Sequence, residues 1–140
     1  MLNLKRQCLD LDIILGSIGR KLEGFWKFNR VSNQMAYSVH EIFKQFLDLQ
    51  LIEKRLTAKE VQQLKTMDPQ FVDKLKKYNR YAQDVKFYCD VERREAARVG
   101  ENKLVMADLG GQSHQKFLDI FNETRALLES LKKIIPQIKS

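Results

Sequence analysis

The stretch "ILGSIGRKL" occupies residues 14–22, and two readings of it lead to different proteins. Taken alone, Gly16 and Gly19 stand at the Gly-x-x-Gly spacing of a loop that grips single-stranded nucleic acid. Taken with its neighbours, the stretch continues a pattern. Leu4, Cys8, Leu11, Leu15, Ile18, Leu22 and Phe25 follow one another in alternating steps of four and three. That alternation is the apolar seam of a helix packed in coiled-coil fashion. The seam crosses both glycines without losing phase, so the helix is the expected state.

The loop reading also fails on its surroundings. The Gly-x-x-Gly loop of KH modules sits in a fold that needs strands around it, and no run of strand length alternates with period two on either side. Gly16 and Gly19 are then expected beside the seam, where missing side chains let another helix approach. Each costs about 1 kcal/mol relative to alanine in a helix interior.

The same spacing recurs downstream. Met35, Val39, Ile42, Phe46 and Leu49 form a second seam, with Ala36, Phe43 and Leu47 alongside and Ser32 as N-cap. A third runs through Phe71, Leu75, Tyr78, Ala82, Val85, Cys89, Glu92, Ala96 and Val99. Asp68 and Pro69 are expected to open it and Gly100 to close it. A fourth, opened by Ser113, carries Phe117, Phe121, Thr124, Leu128, Leu131, Ile135 and Ile138, with Pro136 ending or bending its last turn. Between the second and third, Thr57 and Glu60 make a capping box for a short helix bearing Val61, Leu64 and Met67.

The expected fold is therefore all-α: an antiparallel four-helix bundle, up-down-up-down, with one short connecting helix. Expected helices span about 3–29, 33–55, 58–67, 69–99 and 114–135. A chain of 140 residues with only two prolines and six glycines suits a single domain of long elements.

Chemistry is sparse. His40 and His114 are the only histidines and fall on different helices. A phosphorelay histidine would want a lysine three residues on, followed by a small residue; here Lys44 lies four on and Gln45 follows. Glu-x-x-His pairs of the kind that hold metals in bundle cores are absent, and Cys8 and Cys89 lack ligand spacing. Ser113-x-x-Lys116 and Ser130-x-x-Lys133 match a nucleophile spacing without its companion motifs, and no phosphate-binding glycine loop is present. The expectation is a non-enzymatic protein with no catalytic residues, metal or cofactor. Three polar residues interrupt the seams: Asn29 where the first helix ends, Thr124, whose hydroxyl can bond its own backbone, and Glu92, read as snorkelling, paired with an arginine, or a registry or partner contact.

A net charge of +7 and a pI near 9.5 favour anionic partners. In an up-down-up-down bundle one end collects the N-terminus, the 53–74 connection and the C-terminus, and with them most of that excess. Candidate anion or nucleic-acid contacts there are Lys54, Arg55, Lys132 and Lys133, joined by "KLKKYNRY" at 74–81 with Lys74, Lys76, Lys77, Arg80 and Tyr81. Tyr78 belongs to the seam, leaving Tyr81 as the ring available for stacking. The opposite end gathers Trp26 and Phe28 with Leu104, Met106 and Leu109, candidates for contact with a protein partner.

The functional expectation is a bundle that binds another protein, through that aromatic-apolar end or a self-complementary face. Nucleic-acid binding at the lysine-rich pole is the alternative. A second copy could complete the helical seams, giving a homo-oligomer. No apolar run is long enough to span a bilayer, and two cysteines make no disulfide framework, so a reducing cytosol (its own or a host's) is the expected location.

Overall fold

The computed structural model describes the backbone of residues 2–27, 33–99 and 110–138, and the side chains of 3–23, 39–90 and 115–138. Every element among the described residues is helical, with no strand. In chain order they are α1 (Leu2–Lys27), α2 (Asn33–Arg55), α3 (Ala58–Met67), α4 (Phe71–Asn79), α5 (Tyr81–Val99) and α6 (Gly110–Ile134), followed by a 3₁₀ turn over Ile135–Gln137.

Residues 14–22 lie inside α1. Its seam is buried from Leu4 through Leu22 because two helices share it: α6 on one side and α2 on the other. Gly19 faces α6, but a Cβ there would stand 3.6 Å from Cγ2 of Thr124, an ordinary contact. The expected close approach therefore does not require glycine. Gly16 meets only the guanidinium end of Arg20 on its own helix, at 3.4 Å.

α1 and α2 run in opposite directions. Ser17 and Lys21 meet Gln45, whereas Asp10 and Ile14 share a groove with Ile52 and Arg55. Gln45 Nε2 donates to Ser17 Oγ at 2.7 Å, and Lys21 Nζ donates to both Ser17 Oγ and Gln45 Oε1 at 3.1 Å. This half-buried triad fixes the register of the two helices. α4 and α5 run against α6 in the same antiparallel sense: Tyr78 meets Thr124, and Tyr88 meets Phe117. α2 also lies along α5.

The core is one contiguous cluster to which all six helices contribute. Tyr78 sits at its centre, stacked on Phe46 of α2 with ring centroids 4.9 Å apart and hydrogen-bonded to Thr124 of α6. Each fully buried Leu, Ile or Phe contributes roughly 1.5–3 kcal/mol. The seam of α6 departs from expectation. Ile120, Leu127 and Ile134 are buried, while Phe121, Leu128 and Ile135 are only partly so. α6 also begins at Gly110, which places Ser113 inside the helix rather than at its cap.

The expected helix over 69–99 is two. Pro69 and Gln70 form a turn, and α4 starts at Phe71. Asp68 serves both sides of that turn: its backbone N–H donates to Leu64 O, closing α3, while its side chain accepts from Gln70 N at 3.0 Å. The second interruption is at Arg80, where N–H bonds reach back three residues instead of four (Arg80 N to Lys77 O, Gln83 N to Arg80 O). This tightened turn leaves the carbonyl of Asn79 to a different donor, Nε2 of Gln50 at 3.1 Å. The capping box of α3 is formed as expected: Thr57 N to Glu60 Oε1 at 2.9 Å, and Glu60 N to Thr57 Oγ1 at 3.1 Å.

Candidate functional site

Among the described residues, four of the five exposed large apolar side chains lie on α1 and α2. On α1, Leu9 and Ile13 are one turn apart and 43% and 66% exposed. On α2, Leu47 and Leu51 are likewise one turn apart, and 43% and 49% exposed. The antiparallel register brings Ile13 and Leu51 together as walls of a groove of about 270 Å³, with the buried side chain of Ile52 in its lining. Asp10, Asp48 and Arg55 stand at its rim, exposed.

Scattered single apolar residues on a surface mean little; here Ile13 and Leu51 share one groove, with Leu9 and Leu47 one turn away on their own helices. The groove is open and shallow, unlike the enclosed clefts of roughly 300–1,000 Å³ that bury small ligands. Its lining is apolar at the centre, with Asp10, Asp48 and Arg55 around it. Sequence reading placed Leu47 beside a seam and passed over Leu9, Ile13 and Leu51. The signal available was the i, i+4 pairing of large apolar residues off the seam on two consecutive helices.

Of the lysine-rich candidates, Lys54 and Arg55 end α2 and Lys132 and Lys133 end α6, whereas Lys77 stands beside Glu123, midway along α6. The pairing of Tyr78 with Thr124 sets the start of α4 level with the end of α6, and the groove sets Arg55 level with Asp10 near the start of α1. Lys54, Arg55, Lys74, Lys76, Lys77, Arg80, Lys132 and Lys133 are all exposed. Two of them form ion pairs: Lys77 with Glu123 at 3.8 Å and Lys132 with Glu129 at 3.5 Å.

Tyr81 is less available than its place in "KLKKYNRY" suggested. It is half-buried, packs edge-on against Tyr78 with centroids 6.2 Å apart, and carries Lys116 Nζ over its ring at 5.8 Å. Burial, then the hydrogen bond and charge of Glu123, hold its hydroxyl well above the usual tyrosine range. One face of the ring is thus covered by an ammonium that also bridges to Asp84 at 3.8 Å.

Phe28, Leu104, Met106 and Leu109 lie outside the described residues, as do the side chains of Trp26, Glu92 and His114. Cys8 and Cys89 are buried and not disulfide-bonded, and burial together with the charge of Glu60 pushes the Cys8 thiol up to about 11. Among the described residues, no group of three or more His, Cys, Asp or Glu is placed to hold a metal ion, and no helix is long and apolar enough to cross a membrane.

No family model, curated protein or solved structure matches this chain.

Proposed function

We propose that this chain is a non-enzymatic, single-domain helical bundle of up-down-up-down topology that acts by binding another protein, with the α1–α2 face as its contact surface. The pairwise antiparallel contacts support the topology, with α3 as the connector between the second and third legs. The observation that carries the functional reading is the exposed stripe of Leu9, Ile13, Leu47 and Leu51 across two registered helices. A soluble bundle gains nothing from four large apolar side chains on one open face unless something covers them. Reduced, buried thiols suit a cytosolic setting.

The test is capture by the tagged full-length chain in its native cells, followed by cross-linking. Ile13→Ser with Leu51→Ser removes the centre of the face while sparing the core. Loss of the captured protein with unchanged helicity supports the reading; equal capture by wild type and variant overturns it.

The second reading is nucleic-acid binding at the lysine-rich pole. It draws on Lys74 and Lys76, which are exposed and form no ion pair among the described residues. The engagement of Lys77, Lys132 and Tyr81 weighs against it. The two readings differ in salt response, since phosphate contacts lose affinity steeply as salt rises and an apolar face does not. Reversing Lys74, Lys76 and Lys77 to Glu should lower oligonucleotide binding uniformly across sequences; wild type that shifts no oligonucleotide at low salt removes this reading.

A further inference from the structure

We infer that the α1–α2 face is closed by a second copy of this chain. The inference rests on the protein-binding reading above and names its partner. In a two-fold contact the same patch meets itself, so a patch of one charge sign repels its copy and a patch of mixed sign can complement it. The groove rim is mixed: Asp10 and Asp48 carry one sign and Arg55 the other. None of the three forms an ion pair among the described residues, so these charges are uncommitted within one copy.

The spacing suits such a contact. Asp48 and Arg55 lie two turns apart on α2, about 10 Å along the axis, with Leu51 between them. If α2 lies antiparallel on the copy's α2 about Leu51, each Arg55 faces the other copy's Asp48. If the two-fold axis instead follows the helices, α1 lies over the copy's α2 and Arg55 faces Asp10. Both arrangements cover Leu51 with apolar side chains and set arginine against aspartate.

The scale is modest. Two helices about 10 Å wide, in contact over roughly 20 Å, cover about 400 Å² per copy, about 800 Å² in total, below the range of stable complexes and within that of weak, transient ones. A dimer that dissociates in the micromolar range or above is expected.

Sedimentation of the full chain at concentrations up to about 0.5 mM tests this. Wild type should show concentration-dependent dimer. Arg55→Asp alone, and Asp10→Arg with Asp48→Arg, should each be monomeric with unchanged helicity, and mixing them in equal amounts should restore association as a heterodimer. Leu51→Ser should weaken wild-type association at least tenfold. Monomeric wild type throughout overturns the inference, as does either charge variant dimerising like wild type or a mixture that stays monomeric. Should wild type be monomeric while Ile13→Ser with Leu51→Ser still abolishes capture of a different protein, the second copy is wrong and the protein-binding reading stands.

Discussion

The hydroxyl of Tyr78 donates to Oγ1 of Thr124 across 2.7 Å. The direction follows from the third partner: Thr124 has one hydroxyl proton, and it goes to the carbonyl of Ile120 at 2.6 Å, which can only accept. The two side chains join α4 to α6 within the core, and burial raises the Tyr78 hydroxyl well above the usual tyrosine range.

This chain of donors predicts an asymmetry. Tyr78→Phe leaves Thr124 still bonded to its own helix and should cost about 1 kcal/mol. Thr124→Val strands a buried donor and should cost more, about 1–3 kcal/mol. Adding Tyr78→Phe to Thr124→Val should then recover stability. Urea unfolding followed by circular dichroism measures all three, and equal costs for the two single changes would contradict the assigned direction.

Gly19→Ala should stabilise the protein by about 0.5–1 kcal/mol, because helix propensity favours alanine and a Cβ at 3.6 Å from Thr124 Cγ2 is not a clash. A fall in the urea midpoint would instead mean that α1 and α6 need the glycine for close approach.

Gln50→Leu removes the donor that takes the spare carbonyl at Asn79. A loss of about 1 kcal/mol is expected, with faster amide hydrogen exchange confined to the residues around Arg80. Unchanged exchange there would show that the tightened turn holds without help from α2.

Cys8 gives a pH dependence with a definite sign. Its folded pKa, about 11, lies above the ordinary value of 9.0, so the folded protein keeps a proton that the unfolded chain releases. The contribution is complete below pH 9 and is lost as pH rises toward 11, with a slope of at most about 1.4 kcal/mol per unit. Cys8→Ala should be less stable at neutral pH and lose stability less steeply in this window. Parallel alkaline slopes for the two proteins would refute it.

The seam of α1 was legible residue by residue because helices cover it from both sides, leaving only one face that could be inward. In α6 each turn offers two adjacent apolar residues, as at Ile120–Phe121, Leu127–Leu128 and Ile134–Ile135. Spacing cannot choose between neighbours; packing against α1 and α4 does, and the first of each pair is the buried one. The break at Arg80 carries no glycine or proline to announce it, since it is made by a shift of hydrogen bonding and a side chain from another helix. The α1–α2 face was hidden for a related reason. Leu9, Ile13, Leu47 and Leu51 look like flanks of buried seams until the packing of the described residues leaves them exposed.

Asp68 leaves no slack between α3 and α4. One residue ends the first helix with its amide and holds Gln70, the N-cap of the next, with its carboxylate, while Phe71 and Val72 are rooted in the core directly beyond. The short connecting helix is thereby spliced to a fixed point rather than hung on a tether. The lysines at 74, 76 and 77, about two turns past the splice, are thereby carried on a backbone whose spacing from α3 is set.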